Sequence, residues 1–130
     1  MSAPRPSRSL SNAGEQVREF NHTSRDSGPG WEFPSGSYDA VGALAHLARM
    51  LPQAIEQSTL PAMRTHKNGR LLIDGGRDAD VSVVLLQTTL AEALEHANAL
   101  AVALDRMHSA TSPMAVDTRG LPGFDDESEH

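Results

Sequence analysis

VSVVLLQTTLAEALEHANALAVALDRMH, residues 81–108, runs without a Gly or a Pro. Within it Val83, Leu86, Leu90, Ala93, Ala97, Leu100, Leu104 and Met107 step by three and four, which lines apolar side chains along one side of an α-helix. Read as heptads, these are the a and d positions of a coiled-coil seam. Leu94 and Ala101 widen the stripe, while Gln87, Glu92, Glu95, Asn98, Asp105 and Arg106 take the other faces. Asp78 or Asp80 stands where a side-chain oxygen accepts from the orphan backbone N–H groups at a helix start, and its charge suits the helix dipole. At ~1.5 Å per residue the stretch predicts a rod about 40 Å long.

A first helix is predicted over Tyr38–Leu60, with Ser37 as its cap and Asp39 in its first turn. Val41, Leu44, Ala48, Leu51, Ile55 and Ser58 repeat the same steps. Pro52 falls inside. A proline there removes one hydrogen bond and crowds the carbonyl of Ala48, costing about 3 kcal/mol unless the chain bends. The stripe stays in phase across Pro52, so a kink is expected rather than an end and a restart.

MRTHKNGRLLIDGGRDAD, residues 63–80, joins the two rods. Asn68-Gly69 and Gly75-Gly76 are turn signals, and Arg70–Asp74 reads as a short strand hairpinned against Met63–His66. Leu71, Leu72 and Ile73 are then expected to close the open end of the helix pair. Upstream, Asn12–Phe20 reads as a further short helix, with Glu15 three residues after the cap.

The fold class that follows is all-α: an antiparallel two-helix hairpin, kinked at Pro52, between disordered or extended tails. Apolar residues make up 38 % of the chain, below the ~45–50 % usual for globular domains, and the shortfall lies at the ends. Residues 1–36 are rich in Ser, Pro, Gly and Arg, and residues 109–130 in Ser, Pro, Asp and Glu. Neither buries enough apolar area to offset the entropy of ordering, about 1–2 kcal/mol per residue for the backbone. The domain reading is a flexible segment over 1–36, a helical hairpin over 37–108 and an acidic flexible tail over 109–130.

The first helix carries only Asp39, Arg49 and Glu56 as formal charges, too few for an outer face kept in water. Two helices in a hairpin do not enclose a core by themselves. Something must cover them. Dimerisation or a protein partner that completes a four-helix bundle is the simplest closure, helped by small residues such as Ala40, Ala43, Ala93 and Ala97. The expected seam of self-association is Val41, Leu44, Ala48, Leu51 and Ile55 with Val83, Leu86, Leu90, Ala97, Leu100, Leu104 and Met107. The alternative cover is the N-terminal segment folded back, with Phe20, Trp31 and Phe33 as a lid.

No motif for chemistry survives inspection. With no cysteine, disulfides and thiolate metal sites are excluded. The six histidines make no H-E-x-x-H, and neither Glu92 nor Glu95 has a histidine three residues on, as a di-iron bundle needs. Asp74, Asp78 and Asp80 fail the register of a calcium loop, the glycines fit no phosphate or dinucleotide loop, and no serine stands in G-x-S-x-G. No catalytic residue, metal or cofactor is expected, and the chain is read as a non-enzyme.

Two charged features remain. Arg64, Lys67, Arg70 and Arg77 form a basic clump on the connector, able to neutralise a few phosphates, so an accessory nucleic-acid binder is the alternative function. The net charge of −6 argues against a surface wholly given to nucleic acid. In the tail, Leu121 and Phe124 precede Asp125, Asp126 and further acids, in the manner of a short peptide that docks in a basic groove. The N-terminus has arginines but no apolar run after them, and no stretch approaches the ~18 apolar residues of a membrane span. A cytoplasmic location without membrane contact is expected.

Ten arginines against one lysine, in an Ala- and Leu-rich chain, suggest a high-GC bacterial genome. Leu51-Pro52-Gln53, then Asn68-Gly69-Arg70, then an alanine-rich helix after Asp78 resembles small helical proteins carried by plasmids and phages of such bacteria. The resemblance implies a helical fold and no activity.

Overall fold

The structure is a computed structural model and describes residues 5–26 and 28–123. Over these residues it is all-helical and has no strand: α1 spans Pro6–Thr23, α2 Pro34–Ser58, α3 Leu60–Lys67 and α4 Ala79–Thr111. α4 is the expected rod, longer at both ends, with 33 residues. Asp78 is its cap. Its backbone is extended (φ −68°, ψ 123°), and its carboxylate accepts from the Asp80 N–H at 2.8 Å. The helix stops before Pro113, which has no N–H to offer the Ser109 carbonyl, although Ser112 itself keeps a helical backbone (φ −54°, ψ −45°).

α2 begins at Pro34, four residues ahead of the expected Tyr38, and Phe33 rather than Ser37 takes the cap position. Pro34 explains the shift, because its φ is already helical and its missing N–H is not needed in the first turn. α2 runs on through Pro52 to Ser58. It ends there because Pro61 has no N–H to offer the Gln57 carbonyl. The same proline suits the first turn of α3.

The expected strand pairing of Arg70–Asp74 with Met63–His66 is not formed; Met63–His66 lies in α3 and residues 70–73 are irregular. Asn68-Gly69 ends a helix instead of turning a hairpin. The Gly69 N–H donates to the His66 carbonyl (2.9 Å) and the Arg70 N–H to the Thr65 carbonyl (3.0 Å), with Gly69 at φ +71°. This is the paired closure of a helix C-terminus that demands a left-handed residue. Gly69→Ala is therefore expected to cost about 1 kcal/mol, seen as a lower thermal midpoint. Leu71 and Ile73 are half-buried, but Leu72 is 91 % exposed and closes nothing.

The N-terminal segment also differs from its extended reading: α1 is eighteen residues long and contains the expected Asn12–Phe20. Pro6 in its first turn favours helix where no side chain caps. Leu10, Ala13, Val17 and Phe20, stepping by three and four, give it one apolar stripe. This stripe leans along α2 without close packing. No Cα of α1 comes within 8 Å of another helix. Trp31 latches the end of α1 to the start of α2: its indole N–H donates to the Ser24 carbonyl (2.9 Å) and its ring meets Phe20 edge-on at 5.6 Å.

The core lies between α2 and α4, with the start of α2 against the end of α4. Tyr38 stacks on His108 at 4.3 Å, and Arg49 of α2 pairs with Asp105 of α4 at 2.7 Å. Among the described residues only Val41, Ala45, Ala48, Val83 and Ala97 are buried. At Gly42 there is little room against α4: a Cβ there would sit 2.8 Å from the His108 Nε2. Gly14, in α1, has open space around it. Gly14→Ala is expected to raise the helix content seen by circular dichroism. Gly42→Leu should lower stability by roughly 1 kcal/mol, because overpacking exceeds the gain in helix propensity.

Candidate interaction surface

On α2 the expected seam splits. Val41 and Ala48 are buried, Leu51 and Ile55 half-buried, and Leu44 exposed, while Ala45 takes the buried place beside it. On α4, Val83 and Ala97 are buried and Leu86, Leu90 and Leu104 half-buried, but Leu100 and Met107 are exposed. After Ala97 the covered row continues through Ala101, Leu104 and His108. A straight helix drifts about 20° per heptad from a 3.5-residue repeat. The heptad reading therefore slips off the covered side in the second half of α4.

The larger finding is on the outer side of α4. Between Asp80 and Glu92 the helix carries no charge at all. Val83, Leu86 and Leu90 turn toward α2, which leaves Val81, Val84 and Leu85 at 66 %, 60 % and 64 % exposure. Thr88 and Thr89 share that side, and their hydroxyls donate back to the carbonyls of Val84 and Leu85, both at 2.9 Å. These threonines show a methyl outward and need no new partner when covered. A helix apolar on all sides belongs in an interior. Here half of it faces water. Val81, Val84 and Leu85 lie outside the predicted seam; the signal that marks them is the charge-free interval itself.

The basic clump spans the end of α3 and the loop after it. Arg64, Lys67, Arg70 and Arg77 are all exposed and make no ion pair among the described residues. Arg64, His66 and Lys67 sit in the last turn of α3, where the helix dipole favours cations. His66 bridges to Asp80 at the start of α4 (Nε2 to Oδ1, 2.7 Å) and so ties the two helix ends together.

Leu121 is exposed beyond α4, while Phe124, Asp125 and Asp126 lie outside the described residues. Just upstream, the Arg119 guanidinium forks over Asp117 and holds that carboxyl below its ordinary range, helped by the Arg119 backbone N–H.

Two grooves separate α1 from α2. One, about 310 Å³, is walled by Val17 and Phe20 on one side and by Ala40, Ala43, Leu44 and Leu47 on the other. The other, about 430 Å³, lies between Leu10 and Ala54 near Pro61. Neither is lined by a titratable side chain. Among the described residues no three His, Asp or Glu side chains gather as metal ligands would, and no helix is long and apolar enough to cross a membrane. No family model, curated protein or solved structure matches the chain.

Proposed function

We propose that this chain works without chemistry, as a helical-hairpin assembly protein that self-associates. In this reading α2 bends at Pro52, α2 and α4 form the hairpin, and a second copy completes a four-helix bundle. One observation supports it above the others: Val81, Val84 and Leu85 stand open to water on a stretch of α4 with no charge. Burial of such side chains contributes about 1.5–3 kcal/mol each, and the subunit alone leaves that contribution unused. Light scattering at micromolar concentration is the test. A mass near twice 13.9 kDa supports the assembly, and a well-folded monomer ends it.

The second reading is an accessory nucleic-acid binder, favoured by the four unpaired cations at Arg64, Lys67, Arg70 and Arg77. A gel-shift titration with duplex and single-stranded DNA decides it. Binding that weakens with salt and with Arg64→Ala and Arg70→Ala supports it, and no shift at low salt removes it.

A further inference from the structure

Asn68-Gly69 is the chain's only Asn-Gly pair, and both residues are exposed at the end of α3. A side-chain amide followed by glycine is open to attack by the next backbone nitrogen, because no Cβ shields that nitrogen. An added Cβ at Gly69 would meet open space, so no packed neighbour stands in the way either. The other asparagines, Asn12, Asn21 and Asn98, lie inside α1 and α4. Each is followed by a residue with a side chain, whose N–H is spent on the helix ladder. At Asn68 the restraint is only the helix end. Its ψ of 1° eclipses the Gly69 nitrogen with the Asn68 nitrogen and turns it away from the Asn68 side chain. The Gly69 N–H is held by the His66 carbonyl at 2.9 Å, and the Arg70 N–H by the Thr65 carbonyl at 3.0 Å.

We infer that Asn68 is a self-modifying site, where the chain converts its own side-chain amide to a carboxylate at a rate set by opening of the α3 end. When the two closing hydrogen bonds part, Asn68 ψ is free to turn toward the side chain. The Gly69 nitrogen then gives its proton to water and attacks the Asn68 Cγ. A Cγ–N bond forms, the Cγ–Nδ2 bond breaks, and Nδ2 takes a proton from water and leaves as ammonia. A succinimide ring remains, and water opens it at either carbonyl. Breaking the new Cγ–N bond leaves aspartate; breaking the original peptide bond leaves isoaspartate, whose chain runs on through the side chain. In sum one water is taken up, one ammonia is released, and nothing is oxidised or reduced. Either product sets a carboxylate at the C-terminal end of α3, between Lys67 and Arg70, where the helix dipole disfavours it. Isoaspartate also lengthens the backbone there, so the two closing bonds no longer fit.

The test is to age the full-length chain in mildly alkaline buffer, with and without guanidinium chloride, and to follow it by mass spectrometry. Cleavage after glutamate gives the fragment Gln57–Glu92, which holds Asn68 and no other asparagine. In the folded chain this fragment is expected to gain the mass of an amide turned acid, while fragments carrying Asn12, Asn21 and Asn98 keep theirs. Asp74-Gly75 closes the same ring by losing water and regains that water on opening, so it leaves the mass unchanged. Asn68→Gln, whose side chain is one methylene too long for this ring, should remove the gain. Guanidinium chloride should speed the reaction about tenfold, the change in open population expected when the two bonds at the α3 end are lost. A gain that survives Asn68→Gln overturns the site. No gain in the folded chain while the unfolded one converts overturns modification of the native protein. Equal rates folded and unfolded overturn control by the α3 end.

Discussion

Ala48→Asp is expected to unfold the protein, with loss of the helical signal at temperatures where the parent chain is intact. Ala48 is 2 % exposed between α2 and α4, with Ala45 at 1 % one turn before it. A carboxylate there has no cation in reach along the buried row of Val41, Ala45, Val83 and Ala97. Leaving a charge buried and unpaired costs about 3–5 kcal/mol, against a total stability of about 5–15 kcal/mol for ordinary domains. This core is built from two valines and three alanines, so the lower end of that range applies. Circular dichroism melts of the variant and the parent make the check. Ala48→Ser, which keeps the size and can donate its hydroxyl to the preceding turn, should cost about 1 kcal/mol. Equal midpoints for Ala48→Asp and the parent would mean that α2 does not face α4 through this residue.

The opposite pattern is expected on the outer side of α4. Val84→Asp combined with Leu85→Asp places two charges at positions already more than half open, so the single subunit keeps its helices. If the proposed self-association uses this face, it covers both carboxylates. Even a partly compensated burial costs about 1–3 kcal/mol for each polar group, enough to weaken association by at least about a hundredfold. Under the proposed assembly, sedimentation should give a dimeric mass for the parent and 13.9 kDa for the double variant at the same concentration, with helix content unchanged. A variant that unfolds would show this side to be core, and one that remains dimeric would place the contact elsewhere.

α4 and its cap were legible because each level of the sequence agreed: no Gly or Pro, unbroken periodicity and Asp78 just ahead. Beyond Ala97 the register held at Leu104 but not at Leu100 or Met107, since a repeat counted in sevens does not follow a straight helix. Asn68-Gly69 misled for a different reason. A glycine with positive φ serves a hairpin turn and a helix end equally well, and the dipeptide does not say which is in use. The bounds of α2 turned on Pro34, which reads as a breaker in a Ser-, Gly- and Pro-rich stretch but acts as a starter. α1 was half-hidden among polar residues, with its stripe carried by Leu10, Ala13, Val17 and Phe20. The outer face of α4 does not show in the apolar period, which marks only the side that packs; its sign in the sequence is the lack of charge from Val81 to Ala91.

Trp31 is the only tryptophan, and it sits at the latch between α1 and α2 rather than in the α2–α4 core. Intrinsic fluorescence therefore watches the hinge. Because α1 touches the rest so sparingly, it is the piece that comes away first as denaturant rises, at a free energy well below that of global opening. Emission should shift to the red at a lower urea concentration than the one that melts the helical signal, and amide protons of α1 should exchange ahead of those from Val41 to Ala48. An unfolding curve followed by tryptophan light alone would then report the release of one strut and mistake it for the collapse of the whole.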